Sequence, residues 1–243
     1  MNLEEFQRLS DLERGYWWHR GRRAIIRRLL NRPQSPDAGW VVDVGCGTGG
    51  NRSVLERVGA VVSVDPSGAA LALARATGCV RTLQAVADAL PFGSGTMTRV
   101  AMLDVIEHID DEAAVLAECI RVLRPHGQLL LTVPAYQWLW SGHDEALGHR
   151  RRYVRREVIT KLRAAGFDVV FCSYVITFVF PLLAAYRLVE RALRHRHASS
   201  YVPVPRGVDT VLTALLRLEG WLVQHGVRLP FGTSIAALAQ RRP

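Results

Sequence analysis

Lysine is nearly missing from this chain. Lys161 is the only one, so the net charge of +9 over 243 residues rests on arginine. Such an excess attracts phosphate on nucleic acid, on anionic lipid or on a small metabolite, but an arginine bias also follows from GC-rich coding, so charge alone selects no partner. Cysteine is scarce as well. Cys46, Cys79, Cys119 and Cys172 stand far apart, with neither a Cys-x-x-Cys pair nor zinc-ligand spacing, which excludes a disulfide framework and a zinc knuckle. The opening MNLEEFQRLSDLER lacks the basic start and apolar run of a signal peptide, so a reducing cytoplasm is the expected compartment. Low-complexity tracts and internal repeats are absent, which excludes solenoids and linkers. With 49% hydrophobic residues the chain has ample material for one α/β core.

The strongest signal that is present is WVVDVGCGTGG, Trp40 to Gly50. A β-branched strand runs into a glycine loop, and a helix is predicted from Asn51 to Val58. Glycines at such a turn let the backbone approach a ligand closely. Gly45, Gly47 and Gly50 also satisfy the Gly-x-Gly-x-x-Gly of a dinucleotide site. Asp43 separates the two readings: a carboxylate there repels a pyrophosphate and suits the ammonium of an amino-acid tail, which favours S-adenosylmethionine. AVVSVD then reads as a second strand whose Asp65 can accept from both ribose hydroxyls. RTLQAVADALPF supplies a third strand and Asp88, placed for an adenine amino group, with the Ala89 N–H placed for a ring nitrogen. A fourth strand ends at Leu103, with Glu107 and His108 just beyond it, and a fifth ends near Pro134. Strand and helix alternate, as in a parallel, doubly wound sheet.

Taken in order, VVDVGCGTG, VSVD, ADALPF, LDVIEH and LRPHGQLLLTVP resemble the class I S-adenosylmethionine-dependent methyltransferases, from Trp40 to about Pro134. The resemblance implies a Rossmann-like α/β fold, a seven-stranded sheet with an antiparallel last strand, and S-adenosylmethionine as cofactor. It implies a cofactor site lined by Asp43, Gly45, Cys46, Gly47, Asp65, Pro66, Asp88, Ala89, Leu103 and His108. Bacterial members carry a leading aromatic-Trp-x-Arg-Gly-Arg segment like Tyr16 to Arg22, so residues 1–38 are expected to form a helical lid, with Trp18 and Arg20 over the cofactor.

SGHDEALGHRRRY, Ser141 to Tyr153, follows the fifth strand and is expected to be the acceptor loop. His143 and His149 are candidate general bases for a hydroxyl acceptor. Trp140, Arg151, Arg152 and Tyr153 are expected acceptor contacts, the guanidiniums suiting a phosphate or carboxylate. His143-Asp144-x4-His149 has no nearby fourth ligand, so no metal is expected. Core and acceptor loop together span 39–174. Residues 175–230 read as an apolar helical insertion between strands six and seven, and 231–243 as the closing strand. The apolar stretch from Val175 is too short to cross a bilayer as a helix and runs into a basic segment. Contact of 175–200 with the inner face of a membrane, or a homodimer, would cover it.

The acceptor is expected to be a small molecule, free or linked to lipid or glycan. Three other functions stay open: an NAD(P)-dependent oxidoreductase, a nucleic-acid methyltransferase and an inactive cofactor-binding partner subunit. Asp43 and the closing strand disfavour the first. LDVIEH in place of an Asn/Asp-Pro-Pro-aromatic tetrapeptide, with no Pro-Cys nucleophile, disfavours the second. The complete set of cofactor segments disfavours the third.

Overall fold

The computed structural model describes residues 15–32, 37–192 and 204–243. Seven strands form one sheet: β1 Gly39–Val44, β2 Gly59–Asp65, β3 Thr82–Gln84, β4 Met97–Leu103, β5 Leu123–Pro134, β6 Phe167–Val175 and β7 Ser234–Arg241. Their order is β3-β2-β1-β4-β5-β7-β6. β1 is parallel to β2 and β4, and β4 to β5, whereas β7 is antiparallel to both β5 and β6. This is the doubly wound sheet with an antiparallel last strand that the sequence predicts. The chain reverses direction across the sheet between β1 and β4, and ligands bind beyond the carboxyl ends of strands at such a switch point.

The inner strands are largely apolar because helices cover both faces, whereas the edge strand β3, Thr-Leu-Gln, is mostly exposed. On one face α4 (Glu112–Val122) and α6 (Arg155–Ala164) bury Val115, Leu116, Cys119, Val158 and Leu162. On the other lie α1 (Trp17–Leu30) and α8 (Arg206–Gln224). α1 puts Ile25, Ile26, Leu29 and Leu30 into the core as its amphipathic pattern predicts. It packs against α8 through glycines, since a Cβ on Gly21 would lie 2.2 Å from Leu216 Cδ1 and one on Gly220 would lie 3.3 Å from the Ile25 Cα. Arg28 reaches Gln224 and Arg32 the Val223 carbonyl, each at 2.7 Å. The N-terminal helix, expected to be a lid, is therefore docked on the sheet beside α8. α7 (Phe180–Ala192) precedes α8 between β6 and β7. Residues 193–203 lie outside the described residues, as do 1–14 and 33–36, so the expected membrane-contact segment 175–200 is described only to Ala192.

The helix expected over Asn51–Val58 is only α2, Arg52–Leu55. β2 starts at Gly59, packed so closely on β1 that a Cβ there would sit 2.1 Å from the Gly39 carbonyl oxygen, and the chain must leave the helix early to enter it. α3 (Gly68–Ala76) is capped by Ser67, whose side chain accepts from the Ala70 N–H.

The carboxyl edge carries most of the backbone strain. Asp104, Tyr136 and Ile176, immediately or almost immediately after β4, β5 and β6, all have φ near +60°. Such values are unfavourable for side-chain-bearing residues, above all a β-branched one, and persist only where the surroundings enforce them.

Candidate active site

The glycine loop leaves β1 at Gly45 (φ +66°), where a Cβ would collide with Val105 at 2.5 Å, so the loop after β4 packs directly on it. Gly47 (φ +54°) has open space where its Cβ would be, and that is the approach left for a ligand. Asp65, at the end of β2, accepts from the backbone N–H of Gly47 and of Ser67, each at 2.9 Å. These bonds fix the carboxylate at the carboxyl edge beside the loop. Pro66 and Asp88 are exposed at the same edge. Asp43 is 1% exposed at the end of β1, two residues before the first glycine of the loop. Two expected contacts are placed differently. Cys46 is buried and its N–H bonds the Val64 carbonyl, a packing position whose thiol is pushed up chiefly by burial. The Ala89 N–H closes a turn on the Val86 carbonyl at 3.3 Å, so it is not free for an adenine ring. Leu103 is buried at the end of β4.

The two arginines of the N-terminal segment go to different places. Arg20 ion-pairs with Asp209 and donates to Thr213 Oγ1 at 3.0 Å, both on α8, so it is turned away from the strand ends. Arg22 instead pairs with Asp104 at 2.8 Å and donates to Thr132 Oγ1 at 2.9 Å, at the ends of β4 and β5. Its guanidinium lies over the Trp18 ring, 5.3 Å from the centroid, so Trp18 stays at the edge through Arg22. The signal was available in the sequence: residues 18 and 22 are one helical turn apart and share a face.

The loop after β5 is built around a buried carboxylate. α5 (Gly142–Leu147) begins with a capping box in which Ser141 and Asp144 bond each other's backbone N–H. Asp144 is fully buried and accepts from Arg152 Nε at 2.8 Å and Nη2 at 2.9 Å, and from His149 Nδ1 at 2.8 Å. Burial works to raise this carboxyl, and the bonds from His149 and Arg152 outweigh it and hold it well below the carboxylate range. The other arginines of the run are engaged too. Arg150 donates to the His108 carbonyl at 2.8 Å and pairs with Asp110, and its N–H bonds the Glu107 carbonyl at 2.9 Å. Arg151 pairs with Glu112 at 2.7 Å, and Glu112 also takes Lys161 at 2.6 Å and the Tyr153 hydroxyl at 2.7 Å. Arg151, Arg152 and Tyr153 therefore do not present themselves to an acceptor. Arg150, Arg151 and Tyr153 tie the loop after β5 to the segment after β4, whereas Arg152 braces the loop after β5 internally through Asp144 and the Ala135 carbonyl. Trp140 is half-buried, its Nε1 at 3.4 Å from Glu145.

What these ties bring together is Glu107, His108 and His149, whose ligand-capable atoms lie within 4.8 Å of one another. The two imidazoles meet edge to face with centroids 4.8 Å apart. His108 Nδ1 lies 3.3 Å from the Gly148 carbonyl oxygen. Glu107 is 0% exposed, and neither carboxylate oxygen has a hydrogen-bond partner. Burial first, then the Asp104 charge, raises its carboxyl well above the usual range. His143, by contrast, is pushed down to about 4, mainly by burial, which makes it a weak base. Sequence spacing could not show this cluster, since His149 is 41 residues beyond His108 and meets it only through the fold.

Beyond the same strand ends lies an aromatic group that joins Tyr136 and Trp138, of the apolar AYQWLW stretch before the acceptor loop, to aromatics from later segments. Tyr136 stacks on Tyr174 at 4.9 Å, Trp138 meets Phe180 at 6.0 Å, and Phe180 meets Phe231 at 5.3 Å. These residues come from the end of β6 and from the segments after β5, after β6 and before β7, which the antiparallel last strand gathers at one edge.

Fold and glycine loop are those of the class I S-adenosylmethionine-dependent methyltransferases. The methyltransferase-domain family matches residues 42–131, β1 to β5, so this stretch is a methyltransferase domain. A Mycobacterium tuberculosis protein, Rv3030, named a probable S-adenosylmethionine-dependent methyltransferase, is 31% identical over 170 residues, 68% of this chain and 61% of that protein. The chain thus spans about three fifths of the length of that relative. A ubiquinone biosynthesis O-methyltransferase of Xanthomonas oryzae is 31% identical over 99 residues, 38% of this chain and 41% of that enzyme. Among solved structures, an S-adenosylmethionine-dependent methyltransferase of Thermotoga maritima superposes with a TM-score of 0.59 at 19% identity, over 98% of this chain and 97% of that one. A geranyl diphosphate methyltransferase, solved with its substrate and sinefungin, gives 0.59 at 20% identity over 90% and 76%. Both likenesses show the fold. The residues present fit the cofactor of this class: an open face at Gly47, a fixed acceptor at Asp65 and an exposed carboxylate at Asp88.

Proposed function

We propose that this chain is an active enzyme that transfers the methyl group of S-adenosylmethionine to a hydroxyl oxygen of an apolar acceptor, aromatic or lipid-linked. The observation that carries the reading is the pairing, at one sheet edge, of the aromatic group Tyr136, Trp138, Phe180 and Phe231 with the imidazoles of His108 and His149. The first suits a flat or greasy acceptor body, and the second suits a hydroxyl that must lose a proton. Relatives named for ubiquinone biosynthesis and geranyl diphosphate methyl transfer support an acceptor of this kind.

In the reaction, an oxygen lone pair attacks the sulfonium methyl in line. The C–O bond forms as the C–S bond breaks, sulfur keeps the electron pair, and the hydroxyl proton leaves toward the His108–His149 side. Holding the oxygen in line is worth about 7–11 kcal/mol, and ionising it adds about 10²–10⁴-fold. Of the two histidines expected as bases, His149 takes the acceptor side, because Asp144 orients it and His143 is too weakly basic. Arg22 and Trp18 close the edge from the N-terminal helix.

The test is transfer of label from S-adenosylmethionine to phenols, quinols and polyprenyl-linked alcohols, beside water-soluble amines. Alkali-stable labelled ethers from the apolar acceptors are expected. Label on the amines alone would overturn the oxygen assignment. Calorimetric binding of NAD without binding of S-adenosylmethionine would overturn the class of reaction.

A further inference from the structure

We infer that Glu107, His108 and His149 form a binding site for one divalent transition-metal ion, of which Zn²⁺ is the best match. The donor set is two imidazoles and a carboxylate, with their atoms within 4.8 Å of one another. A tetrahedral ion with bonds of about 2.0–2.1 Å needs donor atoms about 3.3 Å apart, so small side-chain rotations close the cluster.

Three independent features point to a cation rather than to packing. Glu107 is wholly buried with both oxygens unpartnered, which is costly for a carboxyl group and is resolved by a bound cation. Each histidine has its Nδ1 occupied by an oxygen, His149 by Asp144 Oδ1 at 2.8 Å and His108 by the Gly148 carbonyl at 3.3 Å. This leaves Nε2 as the donor atom on both rings, and it is the outer arrangement that orients metal-bound histidines elsewhere. The support is also rigid: Arg152 clamps Asp144 through two bonds, and Arg150 fixes the backbone of both Glu107 and His108. The sequence offered no metal because His143 and Asp144 lacked a fourth ligand. The fold passes over His143 and recruits Glu107 and His108 from the other side of β5.

Three protein ligands leave an open coordination position, as in catalytic rather than structural zinc sites. With an ion bound, both Nε2 lone pairs are spent as ligands and neither imidazole can accept the proton. The open position would then hold the acceptor oxygen and favour its ionised form, the proton passing to solvent, so on the proposed reading of the enzyme the ion takes over from the free imidazoles the task of ionising the hydroxyl. The inference rests on that reading for the occupant only; the metal site itself stands on the three residues.

The test uses the full chain stripped with chelator and titrated with Zn²⁺ and with Co²⁺, followed by elemental analysis and the visible absorption of bound Co²⁺. One ion per chain is expected. Glu107→Gln, His108→Ala and His149→Ala should each weaken binding by at least about tenfold, and Asp144→Asn by about 10–100-fold through loss of the outer bond. His225→Ala, at the far end of α8, should bind as the parent does. Glu107→Gln keeps shape and removes only charge, so it decides the matter if a histidine variant fails to fold. No stoichiometric ion in the parent, or an ion that survives Glu107→Gln and His149→Ala alike, overturns the site. Unchanged methyl transfer by the stripped protein would overturn the metal's role while leaving the methyltransferase reading intact. A bound ion without transfer to any apolar acceptor would sink that reading and leave the site standing.

Discussion

Arg152 spends both nitrogens of its fork on a carboxylate with no exposed surface, and this decides what the residue is for. Had it bound an anionic acceptor, replacing it would raise KM and leave stability alone. In the structure, Arg152→Ala strands a buried charge, which costs about 3–5 kcal/mol in denaturant unfolding. Arg152→Lys should recover little, because a point ammonium cannot match the two-pronged geometry. Unchanged unfolding with a raised KM would restore the acceptor role. His149 gives a second contrast at this scale. His149→Ala should lower kcat by about 10²–10⁴-fold while S-adenosylmethionine affinity, read by calorimetry, stays put; His143→Ala should have a far smaller effect on kcat. The residue types in SGHDEALGHRRRY were legible as polar chemistry in an apolar chain, and Asp144 stands in the same stretch as Arg152 and His149, but the partners of Arg150, Arg151 and Tyr153 were not legible. Glu107, Asp110 and Glu112 lie some forty residues upstream, and only the parallel alignment of β4 with β5 brings them opposite the arginines.

At the level of elements, the strands and the glycine loop were readable because each leaves a local mark: β-branched runs, a Gly-x-Gly turn, an acid at a strand end. The docking of α1 on α8 left no such mark, since neither Gly21 nor Gly220 stands in a turn. Their role appears only when the helices meet. Gly21→Ala should cost about 1–3 kcal/mol by overpacking against Leu216, measured by urea unfolding. No loss there would mean that the helices do not cross where the structure puts them. The same helix holds the end of β6 through Glu219, which is fully buried and accepts from the Ile176 and Thr177 N–H groups. Those bonds hold Ile176 at its positive φ. Burial raises Glu219 from 4.5 to about 7. Because the folded value lies above the unfolded one, its contribution to stability is full below about 4.5 and is lost as pH rises through about 7. Glu219→Gln should flatten the stability profile across that window, and a profile that keeps its slope would assign the titration to another group.

For the whole molecule, the question is why a protein with a closed core leaves α7 so apolar outside it. Leu182, Tyr186 and Val189, at helical spacing, are 72, 40 and 55% exposed, and Leu188 beside them is 57% exposed. The helix starts at Phe180, inside the aromatic group at the sheet edge, so this surface is continuous with the place proposed for the acceptor. Among the described residues no helix is long and apolar enough to cross a membrane. A short apolar face on a chain of net charge +9 suits the surface of an anionic bilayer, from which a lipid-linked acceptor could reach the edge without entering water. The full chain should then sediment with vesicles containing anionic lipid, less so at high salt as the attraction is screened. Leu182→Asp with Val189→Asp should release it and raise KM for lipid-linked acceptors while leaving a short soluble analogue unaffected. A homodimer burying α7 predicts something else: a concentration-dependent dimer by analytical ultracentrifugation, dissociated by the same two substitutions, and indifference to vesicles of any charge. Sedimentation that ignores both lipid charge and these substitutions would remove the membrane from the account and shift the acceptor toward soluble aromatic alcohols.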